Sequence, residues 1–335
     1  MDAYLILIIA IALLFDYSNG FHDAANTIAT VVSTRVLSPR AAVVWAASFN
    51  FLAFLVYPHN VTAAIAHGIE LTSVTHNVIL ATLIGAITWN AITWWWGLPS
   101  SSSHALMGAF AGAALANTPR LSILNAAVFG KVVIFIVVAP MLGMVLGGLL
   151  MYLVRFIFAR RRPAQVDRFF RRGQLISAGL YSLGHGGNDA QKTMGIVTLL
   201  LITSGIQERT EAAEPRFWVV IVCQAAMALG MLSGGWRIVR TMGMKITKLR
   251  PVGGFCAETA GAITLAMSTL LGVPVSTTHT ITGSIVGVGA VERRLSAVRW
   301  GVAGRIVWAW VFTIPAAALI AVVVYYPIRL LSGSP

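Results

Sequence analysis

Two hydroxyl runs and three isolated carboxylates are the residues of this chain whose types and spacing could do chemistry. Ser101, Ser102 and Ser103 follow Gly97-Leu98-Pro99-Ser100, and Ser276, Thr277 and Thr278 follow Gly272-Val273-Pro274-Val275. Asp23, Asp189 and Glu258 stand in apolar surroundings, where an unpaired charge inside a bilayer costs at least ~2.5 kcal/mol. Hydroxyls and the free N–H groups of helix starts are donors suited to an oxyanion. Carboxylates repel an oxyanion, so a site holding both needs a cation or a proton between them. The pattern reads as a coupled site. Asn26, Ser101 to Ser103 and Ser276 to Thr278 would face the anion, with Asn188 and Lys192 near. Asp23, Asp189 and Glu258 would carry the coupling ion. His104 and His279, one after each hydroxyl run, could shuttle protons or, as buried histidines more often do, orient their neighbours. His22 and His185 are further histidines beside the aspartates.

These residues belong to a pattern written twice. Gly20-Phe21-His22-Asp23-Ala24-Ala25-Asn26-Thr27 is echoed by Gly186-Gly187-Asn188-Asp189-Ala190-Gln191-Lys192-Thr193. Gly97 to His104 is echoed by Gly272 to His279. The echoes keep their order, at offsets of 166 and 175 residues. Such self-similarity marks a repeat architecture, with halves at 1–154 and 173–335 joined by an Arg-rich linker, 155–172.

Composition sets the solvent. Of 335 residues, 57% are hydrophobic and 10% charged, against roughly a quarter charged in water-soluble domains. Runs such as Ile306 to Tyr326 and Phe217 to Ser233 approach the ~20 apolar residues that a membrane helix needs. The first run, Ala3 to Phe15, lacks a basic leader and a small-residue cleavage site, and leads straight into the first motif. The net charge of +13 would suit nucleic acid, but its distribution points to a lipid bilayer. Placing the loops 35–40, 155–172, 237–250 and 292–305 on one side gathers 18 of the 24 basic residues there, the pattern that orients membrane spans. The loop after the first motif carries Arg35 and Arg40, while its counterpart carries Glu208, Glu211 and Glu214 against Arg209 and Arg216. The loop from Pro58 to Thr75 lacks Lys and Arg, while its counterpart has five. Matching loops of opposite bias imply two inverted repeats.

The elements follow: an all-α membrane protein of about ten membrane elements plus hairpins, its helices broken or re-entrant around a midplane site. Asp16 to His22 and His185 to Gln191 are polar and Gly-containing, and read as helix starts capped by Asp, Asn or Ser. With the hydroxyl runs they would supply four positive helix N-termini to one pocket. Blander readings stand beside these: caps for the aspartates, interhelical hydrogen bonds for the hydroxyls, and an ion pair with an arginine for Glu258. Trp94 to Trp96 fit an interfacial belt, and Gly108/Gly112 and Gly143/Gly147 fit close helix packing.

The quoted motifs, with Pro274-Val275-Ser276-Thr277-Thr278-His279, resemble the inorganic phosphate transporter (Pit, or PiT) family over both halves. The resemblance implies symport of inorganic phosphate driven by Na+ or H+, inverted repeats, commonly a homodimer, and no cofactor beyond the co-transported ion. Sodium-coupled relatives read Asn-Asp-x-Ala-Asn in the second motif, where this chain has Asn188-Asp189-Ala190-Gln191-Lys192. They also carry a first-half Glu that aligns here with Asn50. Both departures remove oxygen ligands that a hard cation favours, and resemble the bacterial, low-affinity, proton-coupled branch. That branch is thought to accept phosphate with a divalent metal as a neutral complex. Lys192 would pair with an aspartate or contact phosphate.

Other readings are a Na+-coupled phosphate symporter, a sulfate transporter, a channel, and an intramembrane serine hydrolase using Ser103, His104 and Asp23. A hydrolase needs one nucleophile and one base, whereas the motifs are doubled. Sulfate shares the tetrahedral shape, and only the resemblance favours phosphate. Without a Walker A sequence an ATP motor is not expected, and Cys223 and Cys256 form no CxxC or zinc pattern.

Overall fold

In the computed structural model, residues 2–208, 213–293, 296 and 298–332 are described; Arg209, Glu211 and Arg294 of the loop-charge argument lie outside them. The first half contains α1 (Ala3–Ser33), α2 (Pro39–Phe51), α3 (Asn60–Ala66), α4 (His76–Trp96), α5 (Ser102–Asn117) and α6 (Ala126–Ile157). The second contains α7 (Pro163–Thr203), α8 (Phe217–Ser233), α9 (Trp236–Arg240), α10 (Pro251–Leu270), α11 (Thr277–Arg293) and α12 (Trp300–Ser332). Among the described residues, four helices are long and apolar enough to cross a membrane, or six if each bent pair counts as one span. The bent pairs occupy equivalent places: Pro39–Leu55 with Asn60–Ala66 at 80°, and Phe217–Ser233 with Trp236–Lys245 at 60°.

Contacts at the helix ends demonstrate the inversion. Arg171 donates to the Arg35 carbonyl at 3.0 Å, Arg155 to Val291 at 2.7 Å, and Arg250 lies 3.9 Å from Glu292. The basic loops therefore share one end of the molecule. At the other end Asn117 bonds the Ser73 carbonyl at 3.1 Å, Asn77 bonds Ser332 at 2.7 Å, and His76 lies 2.9 Å from Ser204. α1 runs toward the basic end and its counterpart α7 runs away from it. α4–α5 is a hairpin whose two ends lie opposite the basic end, and α10–α11 is its inverted copy.

Local sequence makes the hairpin tips. Gly97 and Gly272 both adopt φ +65°, the left-handed conformation that stops a helix at little cost only for glycine. The Leu98 N–H then bonds the Thr93 carbonyl at 2.9 Å, and the Val273 N–H bonds Ser268 at 2.8 Å. Pro99 and Pro274 prevent resumption until the hydroxyl runs cap the returning helices. Ser101 accepts from the His104 N–H and Ser276 from the His279 N–H, each at 3.2 Å.

The halves interlock. α6 lies on α11 of the other half, and α12 lies on α5. Small residues allow the approach: a Cβ on Gly112 would fall 2.4 Å from the Ala318 carbonyl, and one on Gly147 2.8 Å from that of Ser284. The outward faces of α6 and α12 expose Val133, Ile134, Val137, Val311, Phe312 and Leu319, a surface that hydrocarbon tolerates and water does not. Trp95 and Trp96 are exposed, and the Arg237 guanidinium lies 4.6 Å from the Trp95 ring. The 155–172 stretch is mostly helical, divided between the end of α6 and the start of α7.

Two of the four expected helix starts form. α5 and α11 begin at the hydroxyl runs, but Asp16 to His22 and His185 to Gln191 lie inside α1 and α7, which continue unbroken through both motifs. Glycine and polar residues are tolerated there because each helix keeps its own backbone bonds and neighbouring helices receive the side chains.

Candidate functional site

α1 and α7 lie side by side where the two hairpin tips meet them, and the repeated motifs converge there across the half boundary. Asn26 of the first half donates to Thr277 at 3.2 Å and to Thr278 at 2.9 Å, both of the second half. Thr277 passes its own hydrogen to Asp189 at 3.0 Å, and Thr278 approaches Asp23 at 3.5 Å. The Lys192 ammonium bonds Asp189, Ser103 and the Val275 carbonyl. Asn26 and Lys192 are equivalent positions of the two motifs, and each reaches the opposite half's hydroxyl run. Every residue named so far as a site candidate is at most 3% exposed. The cluster is closed to both ends of the molecule.

A second ring of contacts fixes the aspartates. His22 Nδ1 lies 2.8 Å from Asp23, and its Nε2 lies 3.1 Å from Thr93. His185 Nε2 lies 3.2 Å from Asp189, while its Nδ1 lies 2.8 Å from the Asn50 amide. Asn50, placed by alignment only, thus adjoins the Asp189 side of the site. Asp23, His185 and Asp189 each present a donor atom within 4.8 Å of the others, a set that could hold a divalent ion. Tyr181 donates to the Thr277 carbonyl at 3.0 Å and steadies the second tip.

Not every candidate joins this cluster. The Asn188 amide donates to Thr269 and the Val273 carbonyl at 3.0 and 3.2 Å, which ties α7 to the second hairpin tip. Ser101 and Ser276 hydroxyls serve as helix caps. Ser102, by contrast, is 1% exposed and its hydroxyl has no partner, so it is free to donate to an anion. His104 and His279 meet each other, ring centroids 4.7 Å apart, and His279 stacks on Trp310 at 3.9 Å. They sit at the seam between the hairpins rather than on the aspartates.

Glu258 is separate. It accepts from Thr30 at 2.6 Å, Gln174 at 3.0 Å and Ser177 at 2.5 Å. Thr30 lies seven residues beyond Asp23, which is about 10 Å along a helix, toward the basic end. The arginine partner considered for Glu258 is replaced by three neutral donors, enough to solvate a buried carboxylate. Sequence reading missed these donors and Tyr181. The repeat signal could not reveal them, because they fall outside the duplicated motifs.

The same architecture is found in known proteins. The profile described as "Phosphate transporter family" matches residues 19–166 and again 158–321, one match for each half. A "Probable low-affinity inorganic phosphate transporter" of Rhizobium meliloti is 59% identical over 96% of this chain and 96% of its own length. A Bacillus subtilis protein of the same description is 44% identical, covering 99% of this chain and all of its own. A solved structure titled "The sodium-dependent phosphate transporter" superposes with a TM-score of 0.90 at 24% identity, over 98% of this chain and 100% of that one. These relatives are transporters, so the hydrolase reading finds no support among them, and Ser103 bonds Lys192 and Val275 rather than a base. With one family match in each half, crossed motifs at the centre and an apolar exterior, this multi-pass membrane protein belongs to the phosphate transporter family.

Proposed function

We propose that this protein is a proton-coupled symporter of inorganic phosphate in a bacterial inner membrane. Phosphate would bind between the hydroxyl-capped starts of α5 and α11, with Ser102, Ser103, Thr277, Thr278 and Asn26 as donors. The observation that carries the coupling is Lys192. Its ammonium occupies the space between Asp189, Ser103 and the Val275 carbonyl, three acceptors that would otherwise suit a hard cation. A fixed cation there balances Asp189 without a travelling one. The donors of the site are equally suited to sulfate, and the family relationship supports phosphate.

A second reading concerns the form of the cargo. Asp23, His185 and Asp189 lie close enough to meet a divalent ion, which supports uptake of phosphate as a neutral metal complex. Proteoliposomes with radiolabelled phosphate test both readings. An inward pH gradient alone should concentrate phosphate, and an inward Na+ gradient should not. Concentration on Na+ alone, at matched pH and clamped potential, overturns the proton assignment. Removal of divalent ions with a chelator should depress uptake if the complex is the cargo. Strong competition by excess sulfate would show that the site's donors do not tell the two anions apart.

A further inference from the structure

Asp16 is a buried carboxylate that neither the repeat motif nor the site accounts for. It lies wholly inside the protein on α1, and neither carboxylate oxygen has a hydrogen-bond partner. Its polar neighbours are the Thr193 hydroxyl of α7 and the Cys223 thiol of α8. The charged groups that face it are Asp189 and Lys192 of α7. Buried polar groups are ordinarily satisfied, and an exception calls for a reason. Glu258 shows what a structural carboxylate looks like in this fold, with three donors around it. Asp16 has instead only one hydroxyl and one thiol near it, neither in hydrogen-bonding geometry.

Its position supplies the reason. Asp16, Asp23 and Thr30, the partner of Glu258, are spaced seven residues apart on α1. That spacing returns to the same helix face at intervals of about 10 Å. Three carboxylates, those of Asp16, Asp23 and Glu258, are thereby strung along one face of α1. Asp23 meets the hydroxyl runs, Glu258 lies toward the basic end, and Asp16 lies on the opposite side of the anion site.

We propose that Asp16 is a proton-binding site of the transporter, loaded from the side opposite the basic end. The proposal rests on the proton-coupled reading above. A proton from water on that side joins a carboxylate oxygen of Asp16 and makes a neutral carboxyl, and the same proton returns to water when the site opens toward the basic end. In between, the lost negative charge lessens the repulsion that an arriving phosphate meets beside Asp189. A hard metal ion is a poorer occupant, because it favours several oxygen ligands and the thiol of Cys223 is a soft neighbour.

The test compares phosphate uptake into proteoliposomes with and without an inward pH gradient, for the wild type, Asp16→Asn and Asp16→Glu. The wild-type ratio should exceed one severalfold, fall to about one in Asp16→Asn, and recover in Asp16→Glu with a shifted pH midpoint. A structural role would instead lower uptake in Asp16→Asn at every pH and leave the ratio unchanged, which overturns the proposal. A wild-type ratio of one overturns the proton-coupled reading itself, and the Asp16 role with it. Should Asp16→Asn not fold, infrared titration of the wild type against Asp16→Glu decides: a protonated-carboxyl band that moves between them supports the proposal, and identical bands overturn it.

Discussion

Lys192 and Asn26 hold equivalent places in the two halves, yet one is an ammonium and the other an amide. That asymmetry is what makes the charge balance of the site unequal between its halves. Replacing Lys192 leaves the buried Asp189 with His185 and Thr277 as its partners and the Asp23 carboxylate close by, an arrangement that calls for an imported cation. Lys192→Asn combined with Asn50→Glu should therefore weaken the response to pH and introduce one to Na+, read as uptake under each gradient separately. The hydroxyls should divide into two kinds. Ser102 has no partner to lose, so Ser102→Ala should lower uptake about tenfold, a loss of ~1.4 kcal/mol, with little change in melting temperature. Thr277 links Asn26 to Asp189, so Thr277→Ala should lower uptake and also destabilise the fold by about 1–3 kcal/mol, the usual penalty for stranding buried polar partners. Wild-type kinetics in both variants would remove the anion site from this position.

The decisive elements are the two hairpins. Their tips depend on a left-handed glycine, a proline and a hydroxyl cap in fixed order. Gly97→Ala or Gly272→Ala should cost about 1–2 kcal/mol, because a Cβ disfavours that backbone conformation. A Cβ at Gly272 would also crowd the Asn60 carbonyl at 3.1 Å, whereas one at Gly97 would meet Arg237 and Thr241 at ordinary contact distance. The substitutions should therefore displace the hydroxyl runs and reduce phosphate uptake together with stability, as thermal unfolding in detergent and uptake assays would register. An uptake loss without destabilisation would mean that the tips are set by tertiary contacts rather than by the turn.

At the scale of the molecule, inverted repeats place equivalent loops at opposite ends, and the arginines choose which end faces the cytoplasm. Cysteines introduced at the exposed positions Arg162 and Lys248 should label from the cytoplasmic side alone, and one at the exposed Glu214 from outside alone. The native Cys223 and Cys256 are buried, which keeps the background low. Labelling of all three from one side would contradict the inverted arrangement. The closed site suits such a fold. Each half supplies a hairpin from its own end, so movement of one hairpin against the rest can open one end while the other stays shut.

Much of this was legible in the sequence because duplication and charge are one-dimensional signals. The repeated motifs announced two halves, the opposite bias of matching loops announced their inversion, and the doubled aspartates and hydroxyl runs marked residues that meet at the centre. Gly97, Pro99, Gly272 and Pro274 announced the tips, since backbone conformation there is local. The motifs around Asp23 and Asp189 were misread as helix starts, because glycine and asparagine also occur inside a helix whose neighbours accept its side chains. Only the folded chain decided that Asn26 reaches Thr277 and Thr278, that Lys192 reaches Ser103, and that Glu258 stands apart among Thr30, Gln174 and Ser177. Those partners lie on different helices and in opposite halves, and no local property of the chain specifies which faces of two distant helices will meet.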